Sequence, residues 1–207
     1  MIRKRIIGKS AINNIYRFPS QKTGETILTE STLEFNACFH FEYAPQVIYF
    51  ESQPLGFEYE LENKIHSYTA DFATIDRQGI RCLYEIKSQK IAIKDSFIYE
   101  FKAKQKASLE LGFELYVIDE SQICIKPLID NLKILHRYVM HECSDELFEK
   151  LISEIISLKT PTINDISKTI GNGNTLMCEI CSLIAIGKLG TDLYKLIDNQ
   201  SKVWVQL

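Results

Sequence analysis

Three charged side chains interrupt an apolar stretch of the sequence, and their spacing suits chemistry on a phosphate ester. They are Asp71, Glu85 and Lys87. Glu85 and Lys87 are two residues apart in a β-prone run, so on a strand they project from the same face. Asp71 belongs to the preceding β-prone run, which a turn at 76–79 connects to the next one. We therefore expect the two carboxylates and the ammonium group to converge at one end of a small sheet.

Such a cluster suits metal-dependent hydrolysis of a phosphodiester. Paired carboxylates bind hard divalent cations, Mg²⁺ or Mn²⁺, through oxygen ligands. The cation neutralises a phosphate oxygen and lowers the pKa of a water molecule, while Lys87 can orient or deprotonate that water and stabilise developing negative charge. Glu34, on a preceding predicted helix, is a candidate further ligand or a ligand of a second metal. The alternative is that Asp71, Glu85 and Lys87 form ordinary cross-strand ion pairs at a solvated sheet end.

Hydrophobic periodicity predicts the elements that must position these residues. Ser31 is a predicted helix N-cap, with Glu34 three residues later as in a capping box, and Gly112 is an expected C-cap. The order helix, three strands, helix, strand predicts an α/β fold with a mixed sheet that ends near Lys126. The predicted segments are a helix at 32–43, a short β-type run at 47–50, a meander of strands at 56–61, 65–75 and 80–86, a helix at 95–111 and a strand at 113–118.

Pro127 marks a change of character, because helical periodicity replaces the aromatic strands beyond it. Several helices followed by a short β-type segment predict a small helix-turn-helix or winged-helix module. The predicted domains are therefore residues 1–126 and 127–207. The helix candidates are 128–141, 145–158, 162–170 and 175–187, and the closing strand is 201–207.

The formal net charge of −3 over 207 residues conceals an uneven distribution. Residues 1–22 contain six basic and no acidic side chains, so this segment carries +6 and the rest of the chain carries −9. Lysines also concentrate between positions 87 and 106. Each basic segment is either a solvated surface or a patch that contacts DNA phosphates, and their placement around the Asp71 cluster favours DNA. The candidate DNA-binding residues are Arg3, Lys4, Arg5, Lys9, Arg17, Lys22, Lys90 and Lys94.

The remaining sequence features predict a cytoplasmic protein with no membrane partner. No apolar run reaches the roughly 20 residues of a membrane span, and the basic N-terminus lacks the apolar core of a secretory signal. The six cysteines are predicted to be reduced thiols, several of them in core positions, as at Cys124. Cys178 and Cys181 have a metal-like spacing, but no second Cys or His pair follows, so no structural zinc is expected. The four histidines are predicted to be structural or solvated.

The ordered motifs of the first domain resemble a known group of nucleases. The combination of Asp71 with Glu85 and Lys87 is similar to the PD-(D/E)xK nuclease superfamily, with Ala70 in place of the usual proline. More closely, the chain resembles the TnsA family, the endonuclease subunits of bacterial heteromeric transposases. The resemblance covers roughly residues 10–120 and lies in ordered motifs. These motifs are Tyr16–Lys22, Glu30–Glu34, Val47–Pro54, Tyr68–Phe72 and Tyr84–Lys87.

The resemblance implies a restriction-endonuclease-like core in which Asp71 and Glu85 bind Mg²⁺ or Mn²⁺ and Lys87 is the catalytic lysine. Glu34 and the Ile86 carbonyl would be further ligands. It also implies cleavage of the 5′ strands at double-stranded transposon ends during cut-and-paste transposition. The implied partners are a TnsB-type DDE transposase, which cuts and joins the 3′ strands, and a TnsC-type AAA+ ATPase regulator that contacts the C-terminal domain. Some elements of this family are directed by CRISPR effector complexes, and a short chain is compatible with that subgroup.

Two other functions stay open from the residues. A stand-alone restriction or repair nuclease of the same superfamily would use the same cluster and would cut DNA without a partner. A non-catalytic DNA-binding or adaptor protein would act through its C-terminal module. Between positions 162 and 180 that module has Lys168 as its one basic residue, whereas a recognition helix uses several phosphate contacts. The module is therefore predicted to bind protein.

Overall fold

The chain forms two compact units, the first ending at Cys124 and the second beginning at Ile125. The computed structural model describes residues 14–171 and 176–206. Each unit has its own apolar core. Fully buried large side chains include Phe18, Phe50 and Phe72 in unit 1 and Leu135, Leu151 and Ile166 in unit 2.

From residue 14 onward, unit 1 combines helices with a central four-stranded sheet and two separate two-stranded sheets. In chain order these elements are β1 (Tyr16–Pro19), β2 (Thr26–Thr29), α1 (Thr32–Tyr43), β3 (Val47–Ser52), β4 (Phe57–Leu61), β5 (Lys64–Tyr68), β6 (Phe72–Asp76), β7 (Arg81–Lys87), α2 (Gln89–Ala92), α3 (Asp95–Glu110), β8 (Glu114–Asp119) and α4 (Glu120–Ile123).

The central sheet has the strand order β3-β6-β7-β8. β3, β6 and β7 are antiparallel neighbours, while β8 pairs parallel with β7. A parallel neighbour cannot be reached by a tight turn, so α3 makes the crossover between β7 and β8. The predicted α/β class with a mixed sheet is confirmed.

One strand prediction is wrong. Residues 65–75 are predicted to form a single strand, but the strand is interrupted between β5 and β6. Asp71 lies in this strand break. β4 and β5 form a separate two-stranded sheet. The β-prone residues continue through the break, so local sequence carries no sign of it. Tertiary contacts hold it, since the Asp71 carbonyl accepts a hydrogen bond of 2.9 Å from the Gln53 N–H just beyond β3.

Aromatic packing places α1 against the sheet. The helix begins where Ser31 predicts, because the Ser31 hydroxyl accepts a hydrogen bond from the Glu34 N–H at 3.1 Å. From α1, the Phe41 ring lies 5.2 Å from that of Phe72, the first residue of β6. Buried aromatic side chains of this size contribute large apolar areas to the core. They therefore fix the sheet end at which Asp71 lies.

Unit 2 is a group of helices followed by a short β-hairpin. The Thr162 hydroxyl accepts a hydrogen bond from the Asp165 N–H, and the Asp165 carboxylate accepts one from the Thr162 N–H, which completes a capping box. The four helices and the closing strand occur in the predicted order, although the first helix ends at Tyr138 and the strand β9 (Leu189–Thr191) was not predicted. The elements are α5 (Leu128–Tyr138), α6 (Asp145–Leu158), α7 (Ile163–Ile170), α8 (Leu176–Ala185), β9 (Leu189–Thr191) and β10 (Val203–Val205).

Within the two described stretches, every helix is too short or too polar to cross a membrane. The six cysteines are free thiols, and Cys38 and Cys181 are buried. Cys124 is exposed, so its predicted core position is wrong. Ile123 takes the buried position instead, because Cys124 forms the end of α4.

Gly56 supplies a close backbone approach beside the strand break. A Cβ atom at this position would lie 2.5 Å from the Tyr68 carbonyl oxygen and 2.7 Å from Thr69 Oγ1. We expect Gly56→Ala to lower the free energy of unfolding by about 1–3 kcal/mol, because the backbone near Tyr68 must shift. Urea denaturation followed by circular dichroism measures this. Glu58→Ala, at an exposed position in β4, is the control and should stay within about 0.5 kcal/mol of wild type. Equal stability of the two variants would contradict the prediction.

Candidate active site

The strand register brings Asp71, Glu85 and Lys87 together at one end of the central sheet. Phe72 of β6 pairs with Tyr84 of β7. Asp71 precedes the first of this pair and Glu85 follows the second, so the two acidic residues are neighbours. Lys87 Nζ lies 2.6 Å from Glu85 Oε1 and 3.6 Å from Asp71 Oδ2. The two carboxylates therefore share one ammonium group.

Backbone and side-chain donors fix both carboxylates. The Ile86 N–H donates a hydrogen bond of 2.7 Å to Asp71 Oδ2. Glu85 is only 5% exposed, and its Oε2 accepts a hydrogen bond from the Tyr68 hydroxyl. Tyr68, the last residue of β5, is a site residue that the sequence did not predict. Its contact with Glu85 depends on how the β4–β5 hairpin lies beside β7, which local sequence does not encode.

The charges of the site are unbalanced. Burial and the neighbouring Glu85 carboxylate raise the pKa of Asp71 to about 7, although Lys87 and the Ile86 N–H act in the opposite direction. Burial alone would lower the pKa of Lys87, but Asp71 and Glu85 outweigh it and the pKa is raised. A buried carboxylate, Glu85, and a partly buried one, Asp71, thus compete for one cation. A divalent cation would supply the missing positive charge.

The donor set fits a hard divalent cation. Asp71 and Glu85 offer carboxylate oxygens, and the Ile86 carbonyl is close enough to accept a hydrogen bond of 3.2 Å from Lys87 Nζ. Mg²⁺ and Mn²⁺ prefer oxygen ligands of this kind. Within residues 14–171 and 176–206, no three His, Cys, Asp or Glu side chains are grouped closely enough to hold a metal ion on their own. Backbone carbonyl, water or substrate oxygens would therefore have to complete the coordination.

Glu34 is near the Asp71 cluster, but its carboxylate accepts hydrogen bonds at the N-terminus of α1. Its Oε1 accepts a hydrogen bond from the Ser31 hydroxyl at 2.7 Å, and its Oε2 accepts one from the Glu30 N–H at 3.0 Å. Its negative charge also contributes to the raised pKa of Asp71. The structure thus places Glu34 close enough to act electrostatically on Asp71, while both of its oxygens have donors at the helix N-terminus.

A buried lysine lies behind Tyr68. Lys104, in α3, is 8% exposed. Its Nζ lies 4.6 Å from the centroid of the Tyr68 ring and 2.9 Å from Glu100 Oε1. Helical spacing gives a signal that could have found it, because Lys104 falls on the same buried stripe of α3 as Phe101 and Ser108. A lysine at an otherwise buried helix position is uncommon.

The predicted DNA-binding residues have different surroundings. Arg17, Lys90 and Lys94 are exposed. Lys22 is partly buried and donates hydrogen bonds of 2.7 and 2.8 Å to the Phe41 and Ala44 carbonyls at the end of α1. These bonds satisfy carbonyl groups at the helix end, although burial lowers the pKa of the lysine to about 8. The remaining four candidates, Arg3, Lys4, Arg5 and Lys9, lie outside the described residues.

Comparison of the sequence with protein-family models and with curated proteins gives no match. We therefore infer a function from the geometry and the electrostatics of the site.

Proposed function

We propose that unit 1 is a metal-dependent DNA endonuclease of the PD-(D/E)xK type and that the chain is a TnsA-type endonuclease subunit of a transposase. The convergence of Asp71, Glu85 and Lys87 is the observation that carries this proposal. Ordinary surface ion pairs would be solvated, whereas Glu85 is almost fully buried. A buried and a partly buried carboxylate around one lysine are costly to the folded state, and this arrangement is typical of a site that binds a cation.

The side chains have distinct roles in this proposal. Asp71 and Glu85, together with the Ile86 carbonyl, hold Mg²⁺ or Mn²⁺, which supplies Lewis-acid assistance to phosphodiester hydrolysis. Lys87 leaves its carboxylate partners and donates hydrogen bonds to the attacking water and to the scissile phosphate. Tyr68 and the Ile86 N–H keep the carboxylates oriented. Glu34 adds negative charge near the site.

Double-stranded DNA is the proposed substrate, with transposon ends as its specific form. The backbone runs from Lys87 directly into α2, and exposed Lys90 and Lys94 lie within seven residues of the proposed catalytic lysine. Phosphate contacts position DNA without reading its sequence. The exposed lysines are therefore suited to contact the DNA phosphates that flank the cleaved one. A TnsB-type transposase would recognise the sequence of the transposon end.

Unit 2 is proposed to be a winged-helix-like module that binds a TnsC-type ATPase regulator. A helix-rich unit that closes with the β9–β10 hairpin is consistent with this architecture. Its predicted recognition segment is poor in basic residues, which favours a protein partner over DNA. If deletion of residues 127–207 leaves binding of the regulator unchanged, this assignment is wrong.

A stand-alone restriction or repair nuclease is the second candidate, because all the proposed catalytic groups lie within unit 1. Strand-specific cleavage distinguishes the two. Purified protein and Mg²⁺ are incubated with DNA that carries the ends of its own element, with and without the partner transposase. We expect 5′-strand cuts only when the transposase is present. Cleavage by the protein alone would favour the second candidate, and no cleavage in either mixture would contradict both.

Exposed Lys90 and Lys94 are expected to contact DNA phosphates. The double variant Lys90→Ser/Lys94→Ser should weaken DNA binding at low salt and reduce the slope of log K against log salt by about 2, since each lost contact removes about 0.9. Fluorescence anisotropy with labelled duplex measures both quantities. Lys64→Ser, at the exposed first residue of β5, is the control and should not change the slope. An unchanged slope in the double variant would remove these lysines from the DNA surface.

A further inference from the structure

We propose that Lys104 is a positioning residue of the active site and that it acts on Glu85 through Tyr68. The inference rests on the proposed nuclease function and extends it to a cation that has no direct contact with the carboxylate cluster. Three contacts in series carry it: Glu100 with Lys104, Lys104 with the Tyr68 ring, and the Tyr68 hydroxyl with Glu85.

The burial of Lys104 calls for a function. Lysine is almost never buried without a partner, because removing an ammonium group from water is costly. Lys104 has one carboxylate partner, Glu100, at 2.9 Å, and that side chain is 41% exposed. An apolar residue would fill this position of α3 at lower cost. The retained charge therefore points to an effect on its other neighbours, which are the rings of Tyr59 and Tyr68.

Tyr68 transmits the effect to Glu85. The Lys104 ammonium lies 4.6 Å from the centroid of the Tyr68 ring, where a cation is attracted to the electron-rich face. A cation at that position withdraws electron density from the ring and makes the hydroxyl a stronger hydrogen-bond donor. It also fixes the ring in place. The hydroxyl then holds Glu85 Oε2, which leaves Oε1 to Lys87 or to a metal.

Tyr68 matters most during the reaction. In the resting site, Glu85 Oε1 is paired with Lys87 at 2.6 Å. Once Lys87 turns toward the phosphate, Tyr68 is the side chain that still orients Glu85. Residues that orient a metal ligand in this way change metal affinity or activity by about 10–100-fold when they are removed.

Tyr59 completes the environment of Lys104. Its hydroxyl donates a hydrogen bond of 2.8 Å to Glu100 Oε1, the same oxygen that Lys104 contacts. The Tyr59 and Tyr68 rings meet edge to face, with centroids 6.4 Å apart. Glu100 and the two rings thus hold Lys104 in one position, as a positioning residue requires.

A double-mutant cycle separates this role from simple packing. Tyr68→Phe keeps the ring and removes the hydroxyl, and Lys104→Met keeps an unbranched stem and removes the charge. Each single variant is expected to weaken Mn²⁺ affinity, measured by electron paramagnetic resonance without DNA, by about 10-fold or more. Because both act through one hydroxyl, the double variant should be no weaker than Tyr68→Phe alone. Lys104→Arg should retain most of the affinity.

Controls keep the outcomes distinct. Lys102→Met, at an exposed position of the same helix, should leave Mn²⁺ affinity unchanged. Unfolding of every variant is followed by circular dichroism, and Lys104→Met is expected to be at least as stable as wild type. Full additivity of the two substitutions, or wild-type affinity in Lys104→Met, would overturn the role of Lys104 while leaving the nuclease proposal intact. Failure of the wild-type protein to bind Mn²⁺ would overturn both.

Discussion

Lys87→Met is expected to reduce Mg²⁺-dependent DNA cleavage by about 10²–10³-fold, the loss typical of removing one group that stabilises charge in a transition state. Lys87 Nζ is within 4 Å of both carboxylates, so it is placed to reach a phosphate held at the same point. The measurement is the single-turnover rate of 5′-strand cleavage in the presence of the partner transposase, with DNA and Mg²⁺ at saturating concentrations, which separates the chemical step from binding.

The folding of Lys87→Met can be checked independently. Without their shared cation, Asp71 and Glu85 repel one another, so the variant should unfold at a lower temperature than wild type in EDTA. Mg²⁺ should restore much of this loss by binding to the folded state. The control is Lys64→Met, which should cut at the wild-type rate. If Lys87→Met also cut at the wild-type rate, the lysine would not be catalytic.

Asp71→Asn is expected to abolish divalent-cation binding and cleavage while raising the stability of the metal-free protein. The pKa of Asp71 is raised from 3.8 to about 7 by burial and by Glu85. The folded state therefore binds this proton more tightly than the unfolded chain does, and it loses stability as pH rises through that interval. A neutral amide removes this cost, and its oxygen can still accept the hydrogen bond from Ile86.

Thermal unfolding at pH 5 and pH 8 measures this effect. In EDTA, wild type should be less stable at pH 8 than at pH 5, and Asp71→Asn should lose less stability between these two pH values. At pH 8, each kcal/mol by which the variant is stabilised should raise its melting temperature above that of wild type by about 2–4 °C. Mg²⁺ should raise the melting temperature of wild type at pH 8 and leave the variant unchanged. Because other groups also titrate, the comparison is between the two proteins. An equal response of both to pH and to Mg²⁺ would exclude Asp71 as a metal ligand.

The site could be predicted from the sequence to the extent that it depends on strand geometry. A two-residue spacing places Glu85 and Lys87 on one face of a strand, and a short turn brings the chain of Asp71 beside them. These relations are local, so sequence was sufficient. The mixed sheet followed in the same way, because an antiparallel hairpin and a helical crossover each have a length that the sequence reveals.

The sequence did not reveal contacts that depend on tertiary packing. Tyr68 reaches Glu85 because the strand is interrupted between β5 and β6. This strand break is held by contacts with residues that are distant in sequence from Asp71. By sequence, Lys104 cannot be distinguished from the exposed lysines of α3, and its burial is a result of tertiary packing. Lys22 was likewise assigned to DNA by charge, whereas its ammonium group caps α1. In each case the sequence gives the type of side chain but does not reveal which residue that side chain contacts.

The location of a bound divalent cation tests the central claim most directly. Anomalous scattering from crystals soaked in Mn²⁺ would show it without knowledge of the DNA sequence. We expect a peak within about 2.0–2.5 Å of carboxylate oxygens from both Asp71 and Glu85, the range for oxygen ligands of such cations, with Lys87 displaced from Glu85. The absence of a peak, or a peak elsewhere with the Lys87 contacts unchanged, would contradict the claim that these residues form a metal-dependent nuclease site.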